Sequence, residues 1–281
     1  MCKFDPVTSL FNQASEITPE GCSIDFVDAT SGGSLPKGWY NIDGEKSLVK
    51  GCSYFGTEAL SEVLASNLAV SLCLDHIGYR LMPARFFREL EVKNDNCKFV
   101  SICSFYDLNG YSKTSLFNLV ALPYISSGIS NVSITKKECL DYTLTLDESV
   151  RDKILDIILF DALICNVDRH PGNIDLFIDS KTNRVADVFY IHNYGTSLYH
   201  DADEIGYSKD KSDLFFDTHQ EQVTYMLNYG FRPSQQFNFD GAYERWLKLS
   251  SGIFYCHPNL STVSKIKDMV KERLEFYGNF L

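Results

Sequence analysis

Residues 166–173 read N-V-D-R-H-P-G-N and place an aspartate, an arginine, a histidine and two asparagines within eight positions. Phosphoryl transfer from a nucleotide requires a carboxylate to orient the attacking hydroxyl and oxygen ligands to hold Mg²⁺ against the phosphates. Asp168 carries such a carboxylate, and Asn173 carries an amide oxygen that can bind the metal. Pro171 and Gly172 let the backbone turn between them. The spacing therefore predicts a phosphotransfer loop with Asp168 as the catalytic base and Asn173 as a metal ligand.

An isolated aspartate followed by an asparagine is more often a simple turn, because both side chains readily bond to nearby backbone groups. Here the loop follows residues 146–165, whose apolar residues recur at the spacing of an amphipathic helix. After the loop, two short predicted strands flank a turn at residues 179–183. The complete string in this context favours the phosphotransfer interpretation.

Lys50 ends an apolar strand, and Glu62 lies in a predicted helix over residues 57–74. A lysine at the end of a strand is usually only solvated. In kinases, however, an ion pair between a strand lysine and a helix glutamate holds the lysine toward the α- and β-phosphates. The order of lysine, glutamate and catalytic aspartate predicts this pairing, and Thr57 is expected to cap the helix.

Residues 30–37 read T-S-G-G-S-L-P-K and open the first strand. Glycines such as Gly32 and Gly33 let backbone N–H groups approach phosphate oxygens, although a Gly-Gly turn is usually only a turn. The strands predicted at Gly38–Ile42 and Lys46–Lys50 are joined by Asp43-Gly44, which is typical of a tight hairpin. The segment is thus a candidate phosphate loop.

These segments together resemble the HipA-like serine/threonine kinases, in their compact form without the N-terminal extension. The resemblance covers about residues 25–250 and is most specific at the phosphate loop, at Lys50, at the loop 166–173 and at the turn 193–198. The string D-R-H-x-x-N also occurs in phosphoinositide kinases, so this loop alone does not fix the substrate class.

The resemblance implies ATP and Mg²⁺ as cofactors and a protein of unknown identity as the phosphate acceptor. It implies regulatory autophosphorylation at Thr30 or Ser31, and a hinge near the adenine whose Cys103 and Phe105 are equally compatible with core positions. The implied ATP-binding residues are Gly32, Gly33, Ser34, Lys37, Lys50, Glu62, Cys103, Phe105 and His170; the implied metal ligands are Asn173 and Asn193.

Position 193 departs from the family pattern. Residues 187–198 read D-V-F-Y-I-H-N-Y-G-T-S-L, where the family has F-D-x-G-x-S-L, so Asn193 stands at the position of the metal-binding aspartate. An amide oxygen lacks the negative charge that a divalent cation favours, and metal binding and turnover should fall. Two explanations stay open: Asn193 is natural, in a slow kinase or a pseudokinase, or it replaces an aspartate as an inactivating substitution.

The composition excludes several other classes of function. The net charge of −11 disfavours binding to duplex DNA or to an anionic membrane. Nine scattered cysteines without a C-x-x-C pair indicate free thiols in a reducing compartment. No signal peptide and no membrane span are predicted. We expect a cytoplasmic protein, or an effector secreted into a host cytosol.

The order of the predicted elements indicates an α+β fold in two lobes, as in protein kinases. A small β-rich N-lobe over residues 1–105 precedes a larger helical C-lobe over residues 106–281, and both tryptophans, Trp39 and Trp246, are expected in the core. Three functions are compatible with this reading: a serine/threonine protein kinase, a nucleotide-binding pseudokinase, and a lipid or small-molecule kinase.

Overall fold

The computed structural model describes residues 23–29, 35–52, 56–90, 97–104, 110–129, 132–198 and 210–280. Within these ranges the chain forms eight β-strands and seven α-helices. The strands are β1 (Ile24–Ala29), β2 (Lys37–Ile42), β3 (Glu45–Lys50), β4 (Arg80–Pro83), β5 (Phe99–Ser104), β6 (Tyr111–Ser115), β7 (Asp175–Asp179) and β8 (Arg184–Val188). The helices are α1 (Glu58–Ser71), α2 (Leu116–Ser126), α3 (Lys136–Thr143), α4 (Glu148–Ile164), α5 (His219–Asn228), α6 (Ala242–Cys256) and α7 (Leu260–Phe280).

The N-terminal half contains an antiparallel sheet with strand order β1-β2-β3-β5-β4. Asp43 and Gly44 both have positive φ, at 53° and 80°, as a two-residue hairpin turn with the right twist requires. The hairpin predicted from these residues is therefore confirmed. Its register sets Lys37 opposite Lys50, so two lysines lie side by side on neighbouring strands.

Helix α1 is enclosed by the rest of the protein. All of its fourteen residues except Val70 are buried. Thr57 occupies the N-cap position of α1, as predicted, but its side chain makes no capping hydrogen bond. Its ψ of −4° is helical, whereas a capping hydroxyl reaches the first turn from an extended backbone.

The C-terminal half is built around α4. This helix confirms the one predicted over residues 146–165, and from Ile154 to Ile164 every residue is buried. Strands β6, β7 and β8 form a three-stranded antiparallel sheet beside it, and β7 and β8 flank the turn predicted at residues 179–183. Helices α2 and α3 were not predicted individually.

The tail helix α6 packs against α1 and connects the two halves. Trp246 is fully buried and its indole N–H donates to the carbonyl of Leu64 at 2.9 Å, which confirms the core position predicted for it. The Arg245 guanidinium donates to the carbonyl of Ser71 through Nε at 3.0 Å and Nη2 at 2.6 Å. The tail thus holds the helix that carries Glu62.

The core position predicted for Trp39 is wrong. Trp39 is only partly buried, and the Lys46 ammonium lies 5.1 Å from its ring centroid. Side chains alternate between the faces of a strand, and β2 turns its neighbour Tyr40 into the core instead.

A small antiparallel sheet followed by a larger, mainly helical part confirms the predicted α+β fold. The boundary predicted between residues 105 and 106 falls within 105–109, outside the described residues, and stays a prediction. Among the helices described, none combines the length and apolarity that crossing a membrane demands.

Asp156 generates a prediction about pH and stability. This buried carboxylate on α4 accepts the backbone N–H of Ser234 at 3.0 Å and the Ser234 hydroxyl, and burial raises its pKa from 3.8 to about 6. Because the pKa is raised in the folded state, protonated Asp156 is more compatible with folding than the charged form. The part of the stability that depends on protonation of Asp156 is therefore complete below pH 3.8 and is lost as the pH rises through 6. Asp156→Asn should therefore gain stability relative to the wild type across that window, by on the order of 3 kcal/mol.

The measurement is the free energy of unfolding by denaturant at pH 4.5 and pH 7.5. Asp152→Asn is the matched control, because Asp152 lies one turn earlier, is less buried and accepts the backbone N–H of Arg232 at 2.9 Å. A stability difference between Asp156→Asn and wild type that is the same at both pH values would contradict the prediction.

Candidate active site

Lys50 and Glu62 form a buried ion pair. Lys50 Nζ lies 2.8 Å from Glu62 Oε1, with side chains 9% and 1% exposed, and it also donates to the Tyr79 hydroxyl at 3.0 Å. The second carboxylate oxygen of Glu62 accepts the backbone N–H of Tyr194 at 3.1 Å. The glutamate therefore connects the lysine of the N-terminal sheet to the turn 193–198 of the C-terminal half.

Arg169 fixes the loop 166–173 from beneath. It is 1% exposed and binds the Asp161 carboxylate of α4 with Nε at 2.7 Å and Nη2 at 3.1 Å. Its remaining donors reach the carbonyl of Asn173 at 2.8 Å and the carbonyl of His192 at 2.7 Å. One guanidinium thus joins the long helix, the end of the loop and the residue before Asn193.

Asn166 makes a second connection between the same parts. Its amide nitrogen donates to Asp161 at 2.9 Å and to the carbonyl of Asn193 at 3.4 Å. Its amide oxygen accepts the Thr196 hydroxyl at 3.0 Å and the backbone N–H of Asp168 at 3.3 Å. The loop and the turn 193–198 are therefore held as one unit.

The loop holds the side chain of Asn173 by a hydrogen bond to its amide nitrogen. Nδ2 donates to the backbone carbonyl of Asp168 at 2.8 Å, which leaves Oδ1 as the side-chain atom that can bind a metal. His170 supports the turn through Nδ1, which accepts the backbone N–H of Gly172 at 3.1 Å. Asp168 and Asn173 thus lie together, while His170 makes a contact within the loop.

Asn193 adopts a left-handed backbone with φ of 66°, a conformation that Asn and Asp accept more readily than most residues. Its carbonyl faces Asn166, as described above. Within the part of the chain that the structure describes, no three His, Cys, Asp or Glu side chains cluster as metal ligands would. The amide oxygens of Asn173 and Asn193 fit Mg²⁺ in kind, and Asp168 contributes a carboxylate to the loop that contains Asn173.

Lys37 lies opposite Lys50 on the neighbouring strand. Burial and the nearby Lys50 ammonium lower the pKa of Lys37, with Lys113 contributing in the same direction. Cys103, at the end of β5, is buried, and burial raises the pKa of its thiol to about 11 against the opposing effect of Lys50. Lys37 and Lys50 thus place two lysines opposite each other on neighbouring strands, with Glu62 paired to Lys50.

Lys113 and Asp175 are residues of the cleft that sequence reasoning missed. Lys113 Nζ lies 2.6 Å from Asp175 Oδ2, and His192 Nε2 lies 3.2 Å from the same oxygen. Although burial opposes it, His192 and Lys113 lower the pKa of Asp175 to about 2. No local sequence signal marks this pair, because β6 and β7 are paired but lie far apart along the chain.

Asp161 was also missed, although a signal existed. A carboxylate within the apolar segment Ile157–Ile164 needs a buried partner, and Arg169 follows eight residues after it. Asp187, six residues before Asn193, is paired with Lys153 at 2.7 Å. A cavity of about 350 Å³ between α6 and α7 contains none of the candidate site residues.

Several predicted site residues lie outside the described residues and stay predictions. These are the two candidate autophosphorylation positions, three residues of the phosphate loop and one hinge residue: Thr30, Ser31, Gly32, Gly33, Ser34 and Phe105.

Because Arg169 is buried, replacing its guanidinium group should cause a large loss of stability. Arg169→Lys cannot reproduce the bonds to Asp161, Asn173 and His192, and it should lower the free energy of unfolding by about 3 kcal/mol or more. Lys153→Met is the contrast, because its pair with Asp187 is 42% and 40% exposed and should be worth less than about 1 kcal/mol. Denaturant unfolding measures both; equal losses would show that Arg169 is not the stronger anchor.

None of the protein-family models and none of the curated proteins compared with the sequence matches it. Solved structures do match. The proinflammatory kinase CtkA of Helicobacter pylori superposes with a TM-score of 0.55 at 18% identity, over 90% of this chain and 91% of CtkA. HipA of Shewanella oneidensis, from a toxin–antitoxin complex with HipB and operator DNA, superposes with a TM-score of 0.51 at 11% identity, over 89% of this chain and 66% of HipA. The resemblance predicted from the motifs is therefore confirmed at the level of the fold: the chain has the two-lobed, compact HipA-like kinase fold.

Proposed function

We propose that this chain is an ATP-dependent serine/threonine protein kinase of the HipA-like type, which transfers the γ-phosphoryl group of MgATP to a hydroxyl of a protein. The observation that carries the proposal is the chain of contacts from Lys50 through Glu62 to the backbone N–H of Tyr194. These contacts hold Lys50 beside the turn 193–198. Arg169 and Asn166 in turn connect this turn to the loop that contains Asp168.

Each residue has a defined part in this reaction. Lys50 holds the α- and β-phosphates, with Lys37 adding positive charge beside it. Asp168 orients the acceptor hydroxyl and accepts its proton, and Asn173 Oδ1 and the side chain of Asn193 are the oxygens that would hold Mg²⁺. When bound, the metal neutralises charge that develops on the phosphates.

The nature of the acceptor rests on the structural neighbours. CtkA is described as a kinase and HipA as a toxin of a toxin–antitoxin system, and both share the fold of this chain. We extend this to a protein acceptor here, without naming it, because one fold serves many substrates. The site of action is proposed as a cytosol, either that of the producing cell or that of a host.

Asn193 favours a second candidate, a nucleotide-binding pseudokinase. An amide at this position offers Mg²⁺ an oxygen but no charge, while the lysines that would hold ATP phosphates remain in place. Binding of MgATP without phosphate transfer to any acceptor would favour this candidate over the kinase.

Asn193→Asp should raise phosphate transfer by about tenfold or more, because a full charge beside a divalent cation is worth more than about 1.4 kcal/mol. The measurement is incorporation of label from γ-labelled ATP with Mg²⁺ into the protein itself and into a mixture of acceptor proteins. Asp168→Ala in the Asn193→Asp background is the control and should abolish incorporation. Equal rates with Asn and Asp at position 193 would remove the metal role assigned to this residue.

Lys50→Met should weaken MgATP binding and abolish transfer, because the methyl thioether cannot hold phosphates or pair with Glu62. Lys46→Met is the matched control, since Lys46 lies on the same strand but over the Trp39 ring, away from Glu62. Titration calorimetry with MgATP compares the two variants with the wild type. Unchanged affinity in Lys50→Met would place the nucleotide elsewhere.

A further inference from the structure

Cys52 and Cys97 meet at the ends of neighbouring strands. Cys52 follows β3 and Cys97 precedes β5, and the backbone N–H of Cys52 donates to Cys97 Sγ at 3.2 Å. Both sulfur atoms also lie within hydrogen-bond distance of one acceptor, the carbonyl of Phe99, at 3.6 Å from Cys52 and 3.2 Å from Cys97. Cys97 Sγ thus contacts the backbone of Cys52, and both sulfur atoms face the same carbonyl.

The two thiols differ in reactivity. Cys52 is fully buried, whereas Cys97 is 7% exposed and accepts the N–H donor that stabilises a thiolate. A hydrogen bond from the Cys52 thiol lowers the pKa of Cys97, and the same interaction raises the pKa of Cys52. Cys97 is therefore the better nucleophile, and Cys52 is placed to react with it next.

We propose that Cys52 and Cys97 form a reversible oxidation site that reacts with hydroperoxides. The Cys97 thiolate attacks one peroxide oxygen: an S–O bond forms, the O–O bond breaks and the leaving oxygen takes a proton, which yields a sulfenic acid and an alcohol or water. The Cys52 sulfur then attacks Cys97 Sγ: the S–S bond forms, the S–O bond breaks and water leaves with the Cys52 proton. The two thiols together lose two electrons and two protons, and the hydroperoxide is reduced.

The crosslink would close the chain segment that contains α1 and β4. Because β3 and β5 are already hydrogen-bonded neighbours, with Lys50 opposite Ser101, the bond would join elements that are in contact in the reduced protein. Constraining so long a segment in the unfolded chain should raise Tm by several degrees. The site lies two residues after Lys50, so oxidation connects to the nucleotide cleft only if the proposed function is correct; the thiol chemistry itself is independent of it.

The test treats the full chain with a small excess of hydrogen peroxide, blocks remaining thiols with iodoacetamide and maps tryptic peptides without reduction. The expected product is residues 51–80 linked to residues 94–98, which dithiothreitol separates. Because Cys73 shares the first peptide with Cys52, Cys73→Ser assigns the bond. Because the Cys73 thiol is exposed, serine should replace it without disturbing the fold, and the crosslink should persist in this variant.

Two variants and one further measurement complete the design. Cys97→Ser and Cys52→Ser should each lose the crosslink and the peroxide-induced rise in Tm. Peroxide treatment of the wild type that leaves Cys52 and Cys97 open to iodoacetamide after unfolding, or that links either to another cysteine, would overturn the proposal without any variant. MgATP binding before and after oxidation is read separately, so a protein that never binds ATP can still show the disulfide.

Discussion

The buried ion pair between Asp161 and Arg169 is the interaction on which the site depends. A carboxylate in the middle of an apolar helix is unfavourable unless a charge and hydrogen bonds compensate for its lost hydration. Arg169 compensates Asp161, and its remaining donors reach the carbonyls of Asn173 and His192. The requirement to neutralise one buried acid therefore also sets where the loop 166–173 ends and where the turn at Asn193 begins.

A second constraint acts on the glutamate. Kinases need the lysine–glutamate pair in place for transfer, and many control it by moving the helix that carries the glutamate. Here α1 is buried along almost its whole length, and Asn67 donates to Ser250 of α6 at 3.2 Å while Trp246 donates to Leu64. Displacing α1 would break these contacts with the tail, so the packing holds Glu62 in the paired position.

The sequence predicted those parts of the structure whose causes are local. The hairpin at Asp43-Gly44 follows from two residues that accept positive φ, and α4 follows from a helical apolar period. The pairing of Lys50 with Glu62 was expected because motif order in kinases places them together. Trp39 was misassigned because composition does not tell which face of a strand turns inward.

What could not be predicted arises from contacts between distant segments. Lys113 and Asp175 meet only because β6 pairs with β7, and Cys52 and Cys97 meet only because β3 pairs with β5. The odd number of scattered cysteines carried no information about two thiols at adjacent strand ends.

Under the proposed function, the amide at position 193 acts on two interactions with opposite sign. It weakens the attraction for a divalent cation, and it also removes a carboxylate that would repel the phosphates of the nucleotide. Lys37 and Lys50 lie opposite each other, with Glu62 paired to Lys50, and under the proposed function they would still attract a polyphosphate where metal binding is reduced. Nucleotide affinity and the rate of phosphate transfer are therefore separate quantities in this protein. A high affinity measured alone would not identify a kinase, because the metal role proposed for residue 193 acts on transfer as well as on binding.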